Sequence, residues 1–563
     1  MVDVPRDRFV RYRELVELLD ALTAERPDLV ELSEIGRSYE DRAITLATIT
    51  NTATGPHHEK PALWIDANIH ATEHTGGTAA LNLIHKLITE YGTDDDVTRV
   101  LDTRCFYIVP RMNPDGVELA LGERPRYVRS SARDYPRTEQ RDGLIAEDMD
   151  GDGRILTMRV RDPNGAWKPY FDDPRLMVPR DPTEDGPGPY YRLLTEGRIQ
   201  NFDGVTIKHA PPLAGLDLNR NYPVEWRPEG EQAGAGPYPT SEPEIRAVVQ
   251  AIVDRPNICA FIQYHTMSGV HLRPYGTKSD EGLPTFDLRV FKEIGAKATE
   301  LTNYPAVSVY HDFRYDPKDN ITGVADDWAY DHLGVHAWTT EFWSPMRAAG
   351  ITDFKFIEWW SEHPLEDDLK MLAWADEVAP GGGYVEWYEY NHPDLGMVEL
   401  GGWNNALLIR NPPMHLLADE VAPHADFAIW HLLISPLLRL RSCEVEDLGD
   451  GNWRVRVVVE NTGWLPTNVT EKALERKAVR AIEARISGDG ISVVGEPKLE
   501  LGQLAGRVGK HSMLGGFGGT SDPSIDRAKA EWIVRGPAGS SVNVEVWSPR
   551  AGVVRTSLTL PSR

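Results

Sequence analysis

Cysteine is scarce in this chain of 563 residues: there are three, Cys105, Cys259 and Cys443. So small and odd a set excludes a disulfide framework. Cys105 and Cys259 sit in apolar runs (Cys-Phe-Tyr-Ile-Val and Cys-Ala-Phe-Ile), which suit buried free thiols. The first residues, Met-Val-Asp-Val-Pro-Arg-Asp-Arg, lack the apolar centre of a signal peptide. No run of about 18 apolar residues is present, so no membrane span is expected, and the chain reads as cytoplasmic. Positive charge is in deficit: 60 Lys and Arg stand against 86 Asp and Glu, a formal net charge of -26. That balance disfavours nucleic acid and anionic membrane as partners. Short-period repeats and long low-complexity tracts are also missing. The glycine run Gly515-Gly-Phe-Gly-Gly519 has no strand–helix context and reads as a surface loop, not a phosphate loop.

What is present is the material for a large core, with 41% apolar residues and 16 Trp. The length suggests roughly three to four domains, or one large domain with appendages. Residues 9–25 have amphipathic helical spacing, and 43–50 and 61–69 read as strands. Ala80, Ile84, Leu87, Ile88 and Tyr91 share one helix face, ended by Gly92. Further strands are expected at 105–110, 259–265 and 336–342. Strands alternating with helices predict an α/β domain with a mixed, mostly parallel sheet flanked by helices. Residues 130–215, rich in Arg, Asp, Pro and Gly, break this rhythm and read as an irregular insertion.

Helical spacing resumes at 365–378, and Pro380-Gly-Gly-Gly383 marks a boundary. Residues 381–438 read as a strand pair and a long apolar helix, an extension packing on the domain formed by 1–380. From 439 to 563 period-two alternation dominates, as in Trp453-Arg-Val-Arg-Val-Val-Val459 and Val542-Asn-Val-Glu-Val546, with turn clusters between. This predicts an all-β, sandwich-like module.

Chemistry concentrates in five short pieces: His70-Ala-Thr-Glu73, Arg129, Asn219-Arg220, His265 and Glu341. Two imidazoles and a carboxylate can hold a divalent ion and leave one position for water. A second carboxylate can then move a proton, while guanidinium and amide groups hold a carboxylate and an oxyanion. His70, His265 and Glu341 all fall near the ends of expected strands, where α/β sheets place their sites.

These pieces resemble the zinc carboxypeptidases, the funnelin metallopeptidases, in ordered segments from about residue 10 to 380. Asn68-Ile-His-Ala-Thr-Glu73 resembles the ligand motif, and Pro110-Arg-Met-Asn-Pro-Asp-Gly116 the strand-end Asn-Pro-Asp-Gly. Arg126-Tyr-Val-Arg129 resembles the oxyanion segment, and Gly215-Leu-Asp-Leu-Asn-Arg-Asn221 the carboxylate-gripping segment. Pro239-Thr-Ser-Glu-Pro-Glu244, Tyr264-His265 and Thr339-Thr-Glu341 complete the set. The resemblance implies zinc bound by His70, Glu73 and His265, with Glu341 as general base and then acid. It also implies Arg129 on the oxyanion and Asn219 and Arg220 on the terminal carboxylate of a peptide or peptide-like substrate.

The chain departs from the pattern in several places. The stretch between Arg129 and Asn219 is far longer than in digestive members. Thr266-Met267 replaces the usual Ser-Tyr after the third ligand. The pocket tyrosine is not aligned: the usual offset falls on Asp319, and neither Tyr310 nor Tyr315 is placed by spacing. Asp326 stands where the family places its side-chain pocket residue, and an acid there implies a preference for Lys or Arg. Asp148-Met-Asp150-Gly-Asp152-Gly153 can turn three carboxylates toward a hard cation, so calcium is expected at Asp148, Asp150 and Asp152, completed by another acid such as Glu147 or Asp162. Two other readings stay open: a zinc amidase or deacylase of acylated amino acids or cell-wall peptides, and a catalytically silent peptide-binding protein.

Overall fold

The computed structural model describes residues 2–316, 318, 320–508 and 523–562. Asp319 and the Gly515–Gly519 run lie outside the described residues. The centre is an eight-stranded mixed sheet. Four neighbouring strands, Cys105–Val109, Ala62–Ala67, Ile258–Thr266 and His336–Phe342, run parallel. Strands Val30–Arg37 and Ala43–Ile49 add antiparallel at one edge. Val270–Arg273, antiparallel to His336–Phe342, and Ala306–Ser308 close the other edge. Every residue of Ala62–Ala67, Cys105–Val109 and Ile258–Thr266 is buried. Burial on both faces is why these strands read as continuous apolar runs and not as alternating ones.

Helices cover the faces. Helix His74–Glu90 follows the first ligand pair and packs close to the sheet because Gly76 and Gly77 open it. A Cβ on Gly76 would stand 3.0 Å from the Tyr264 carbonyl, and one on Gly77 would stand 2.3 Å from the Asn68 side chain. Helix Leu417–Leu433 lays Leu417, Val421, Ala425, Phe427 and Leu432 into the same core. No helix among the described residues is long and apolar enough to cross a membrane.

The 130–215 segment is more regular than its composition suggests. Its strands Thr157–Arg161, Trp167–Pro169, Met177–Pro179 and Tyr191–Thr195 join Tyr384–His392 and Gly396–Trp403 in one six-stranded antiparallel sheet. The insertion is therefore ordered by pairing with a segment some two hundred positions away, which no local pattern encodes.

The C-terminal strands form two four-stranded antiparallel sheets. Asn452–Asn461 alternates strictly between buried and half-buried positions. Trp453, Val455, Val457, Trp532, Val544 and Val546 belong to the separate core between the sheets. The module is anchored by Arg550, which donates to the carbonyls of Gly334 (3.0 Å), Asn468 (3.2 Å) and Leu333. The Thr470 hydroxyl also donates to Gly334 O at 2.7 Å.

Candidate metal centre

The site is assembled at the carboxyl ends of the central parallel strands. Strand Ala62–Ala67 ends in Asn68, whose positive φ of 58° turns the chain sharply. Its amide Nδ2 donates to Glu73 O at 2.6 Å, closing the loop that carries both first ligands. Along the neighbouring strands, His265 and Glu341 are register partners, so their side chains leave the sheet side by side. The Arg129 segment is tied to the same loop: Ala71 N donates to Arg129 O at 2.9 Å. Asn113 Nδ2 bridges the carbonyls of Ile69 (3.1 Å) and Ser130 (2.8 Å).

His70, Glu73 and His265 converge, with one ligand atom of each lying within 4.8 Å of the others. All three are buried. The outer nitrogens face acceptors: His70 Nε2 lies 3.0 Å from Asp217 Oδ1, and His265 Nε2 lies 2.7 Å from Gln263 Oε1. With the ring protons directed there, each Nδ1 presents a lone pair inward. The two Nδ1 atoms stand 3.1 Å apart, and Glu73 oxygens approach His70 Nδ1 at 2.8 Å and His265 Nδ1 at 3.1 Å. Three electron-rich groups facing one point repel unless a proton or cation lies among them. The donor set, two imidazoles and a carboxylate, is one that zinc takes in hydrolytic sites. The residues therefore fit the metal.

Asp217 organises the opposite wall. Besides His70, it receives Arg129 Nε at 3.1 Å and caps the Leu218–Arg220 turn through Asn219 N at 2.9 Å. Burial alone would raise its pKa. The charges of Arg129 and Arg220 and the hydrogen bond from His70 outweigh burial and hold the carboxyl well below its ordinary value. For Arg129, burial opposes the charge but Asp217 and Glu73 prevail, so the guanidinium stays firmly protonated. Glu341 shows the reverse balance. Burial and the nearby Glu73 charge raise its pKa well above the ordinary range, against the pull of Arg129 and Arg410. Its Oε2 is buried with no hydrogen-bond partner.

One cavity is lined by His70, His265, Arg129, Asn219, Arg220 and Glu341. The structure thus brings together the residues expected at the zinc centre and carboxylate clamp; Glu73 converges with the two imidazoles without lining the cavity itself. Asp326 lines the same cavity, and burial pushes its carboxyl up to about 6. Tyr315 also lines it, 61% exposed, whereas Tyr310 does not and instead lies under the Arg314 guanidinium.

The acidic loop differs from expectation in one member. Asp148, Asp150 and Glu196 converge, while Asp152 turns away to Arg154, whose Nε donates to it at 2.7 Å. Glu196 arrives from a distant strand end, and neither Glu147 nor Asp162 fills that place: Glu147 pairs with Arg198 and Asp162 with Arg192.

A family model described as zinc carboxypeptidase matches residues 15–358, more than half of the chain. The chain belongs to the zinc carboxypeptidase family. Among curated relatives, carboxypeptidase A2 of Rattus norvegicus is 26% identical over 334 residues, covering 57% of this chain and 59% of that protein. Carboxypeptidase B of Astacus astacus is 24% identical over 338 residues, covering 59% and 84%. The chain thus spans about three fifths of the length of the carboxypeptidase A relatives it matches. Among solved structures, thrombin activatable fibrinolysis inhibitor is 20% identical with a TM-score of 0.41, over 66% of this chain and 74% of that one. Residues 437–559 match a second model, described as a domain of unknown function.

Within this zinc carboxypeptidase chain, sequence reasoning missed three contributors. Asp217 carried a local signal, standing two positions before Asn219 in the quoted segment. Gln263, two before His265, carried a weaker one. Asn411 carried none: it comes from the 381–438 extension, where its Oδ1 accepts from Thr75 N and Oγ1 and its Nδ2 donates to Thr72 O.

Proposed function

We propose that the chain is a zinc-dependent carboxypeptidase that hydrolyses the amide bond preceding a C-terminal residue. Its catalytic unit is residues 1–380, with 381–438 as a packed extension and 439–563 as a sandwich-like module. The observation that carries the reading is that Arg220 and Asn219 line the same cavity as His70, His265 and Glu341. Zinc, held by His70, Glu73 and His265, would supply Lewis-acid polarisation of the scissile carbonyl and a water acidic enough to react at neutral pH. Arg220 and Asn219 fix the terminal carboxylate, so that only the last amide reaches the centre. Arg129, held by Asp217 and Glu73, presents its remaining N–H groups to the oxyanion. Glu341 accepts the proton of the attacking water and returns it to the leaving amine.

Asp326 favours a cationic terminal side chain. Its support is its position in the cavity wall and its buried carboxyl, which a Lys or Arg would pair. Short peptides ending in Lys, Leu and Glu, each with free and amidated C-termini, test both statements by mass spectrometry of the products. Release of one residue from free acids only, fastest for Lys, is expected. Cleavage of amides at the same rate would remove the carboxypeptidase assignment, and a preference for Leu would remove the role of Asp326.

The acidic loop is assigned to calcium through Asp148, Asp150 and Glu196. Support comes from their convergence and from Glu196, which burial and the neighbouring aspartates push up to about 7. A hard cation would relieve that repulsion. Calcium added after chelation is expected to raise the melting temperature by a few degrees, because binding to the folded state at about 100 times Kd adds about 2.7 kcal/mol. An unchanged melting curve would count against the site.

A further inference from the structure

The two imidazoles of the metal centre are held from behind in different ways. His70 Nε2 faces the carboxylate of Asp217, a group that can only accept. His265 Nε2 faces the side-chain amide of Gln263, 2.7 Å from Oε1. An amide is ambivalent, because it can turn either its oxygen or its NH2 toward a neighbour. With the oxygen toward the ring, Nε2 carries the proton and Nδ1 keeps a lone pair for the ion. With the NH2 toward the ring, Nε2 must accept, the proton sits on Nδ1 and the ion loses a ligand. The centre therefore needs the amide to be fixed in one direction.

Asp66 fixes it. Strands Ala62–Ala67 and Ile258–Thr266 are parallel neighbours, and Asp66 is the register partner of Gln263. Gln263 and His265 stand two apart on one strand and so face the same side. Gln263 Nε2 donates to Asp66 Oδ1 at 2.8 Å, which leaves the amide oxygen for His265. The other carboxylate oxygen is taken as well: Trp64 Nε1, which can only donate, reaches Oδ2 at 2.8 Å. Trp64, Asp66 and Gln263 are fully buried, and His265 is nearly so. Burial pushes the Asp66 carboxyl up to about 6, which leaves it an anion at about pH 8. Its partners are the indole and the amide, with no cationic side chain among them. An anion buried without a counter-charge costs stability, and what it secures here is the direction of one amide.

We propose that Asp66 is a positioning residue for the metal centre, which through Gln263 sets the nitrogen that His265 presents to the ion. The inference rests on the reading of His70, Glu73 and His265 as zinc ligands. The chain carries the device as Trp64-Ile-Asp66 on one strand and Gln263-Tyr-His265 on the next. A carboxylate–amide–imidazole row at His265 thus does what the direct carboxylate–imidazole pair does at His70.

The test measures the zinc affinity of the full-length chain by competition with a chelator at about pH 8, where the Asp66 carboxyl is ionised. Asp66→Asn keeps the shape of the side chain but lets it donate to Gln263 Oε1 and turn that amide round, so zinc binding is expected to weaken about tenfold. Gln263→Leu removes the relay and should weaken binding at least as much, and Asp66→Asn added to it should change nothing further. Asp66→Asn combined with Gln263→Glu exchanges the two groups, again leaves an acceptor toward the ring, and should recover the wild-type affinity. Wild-type affinity in Asp66→Asn, or no recovery in the exchanged pair, would overturn the inference. Nitrogen NMR of metal-free protein labelled at histidine reads the same relay without zinc. His265 Nε2, assigned with His265→Gln, is expected to carry a proton in the wild type and to lose it in Asp66→Asn. A wild-type chain that showed this change but bound no zinc would uphold the relay and overturn the metal reading instead.

Discussion

Glu341→Gln is expected to keep its zinc and lose about 10³-fold in kcat, the scale of a positioned proton acceptor. The amide keeps the shape of the side chain but cannot take a proton. Zinc retention follows from the geometry, because Glu341 is not among the three groups that converge. Folding stability should be unchanged or higher. Burial and the adjacent Glu73 charge disfavour ionisation of the native side chain, and the amide carries no charge to bury. Zinc content, melting temperature and turnover measured on one preparation separate the possibilities. Lost zinc would make Glu341 a ligand, and undiminished turnover would exclude it as the base.

The second large effect is on the carboxylate clamp. Arg220→Ala should lower kcat/KM for free-acid peptides by about 150-fold, equivalent to about 3 kcal/mol for a buried charged hydrogen-bonding pair. The already poor amidated peptides should change little. Arg220 is 15% exposed, with Nη1 directed to Asn219 O at 2.7 Å and 3.8 Å from Asp217. The rest of its planar fork is free to meet a carboxylate in two parallel bonds, so Arg220→Lys should restore charge but only part of the rate. An Arg220→Ala protein that still discriminated acid from amide would place the clamp elsewhere.

Much of the centre was legible because each functional group sits inside a short motif at a strand end. His70 and Glu73 share one turn, while His265 and Glu341 end strands whose apolar runs are visible in sequence. The central sheet was legible for the same reason: strands buried on both faces need continuous apolar residues. What escaped is long-range. The insertion read as irregular because its strands are completed by Tyr384–His392 and Gly396–Trp403. Glu196 replaced Asp152 in the acidic cluster because Arg154, two positions on, captured the nearer carboxylate. Tyr315 reaches the cavity from a loop whose length gave no register. Asn411 holds the metal loop from more than three hundred positions away, and only packing of the extension brings it there.

Everything proposed for catalysis depends on a divalent ion at His70, Glu73 and His265. Elemental analysis of protein stripped with a chelator, reloaded with zinc and freed of excess is the most direct measurement. One zinc per chain is expected in the wild type, and none retained after His70→Ala with His265→Ala, whose chain should remain folded by circular dichroism. A wild-type protein that held no zinc after reloading, or a double variant that held it as firmly, would contradict the account.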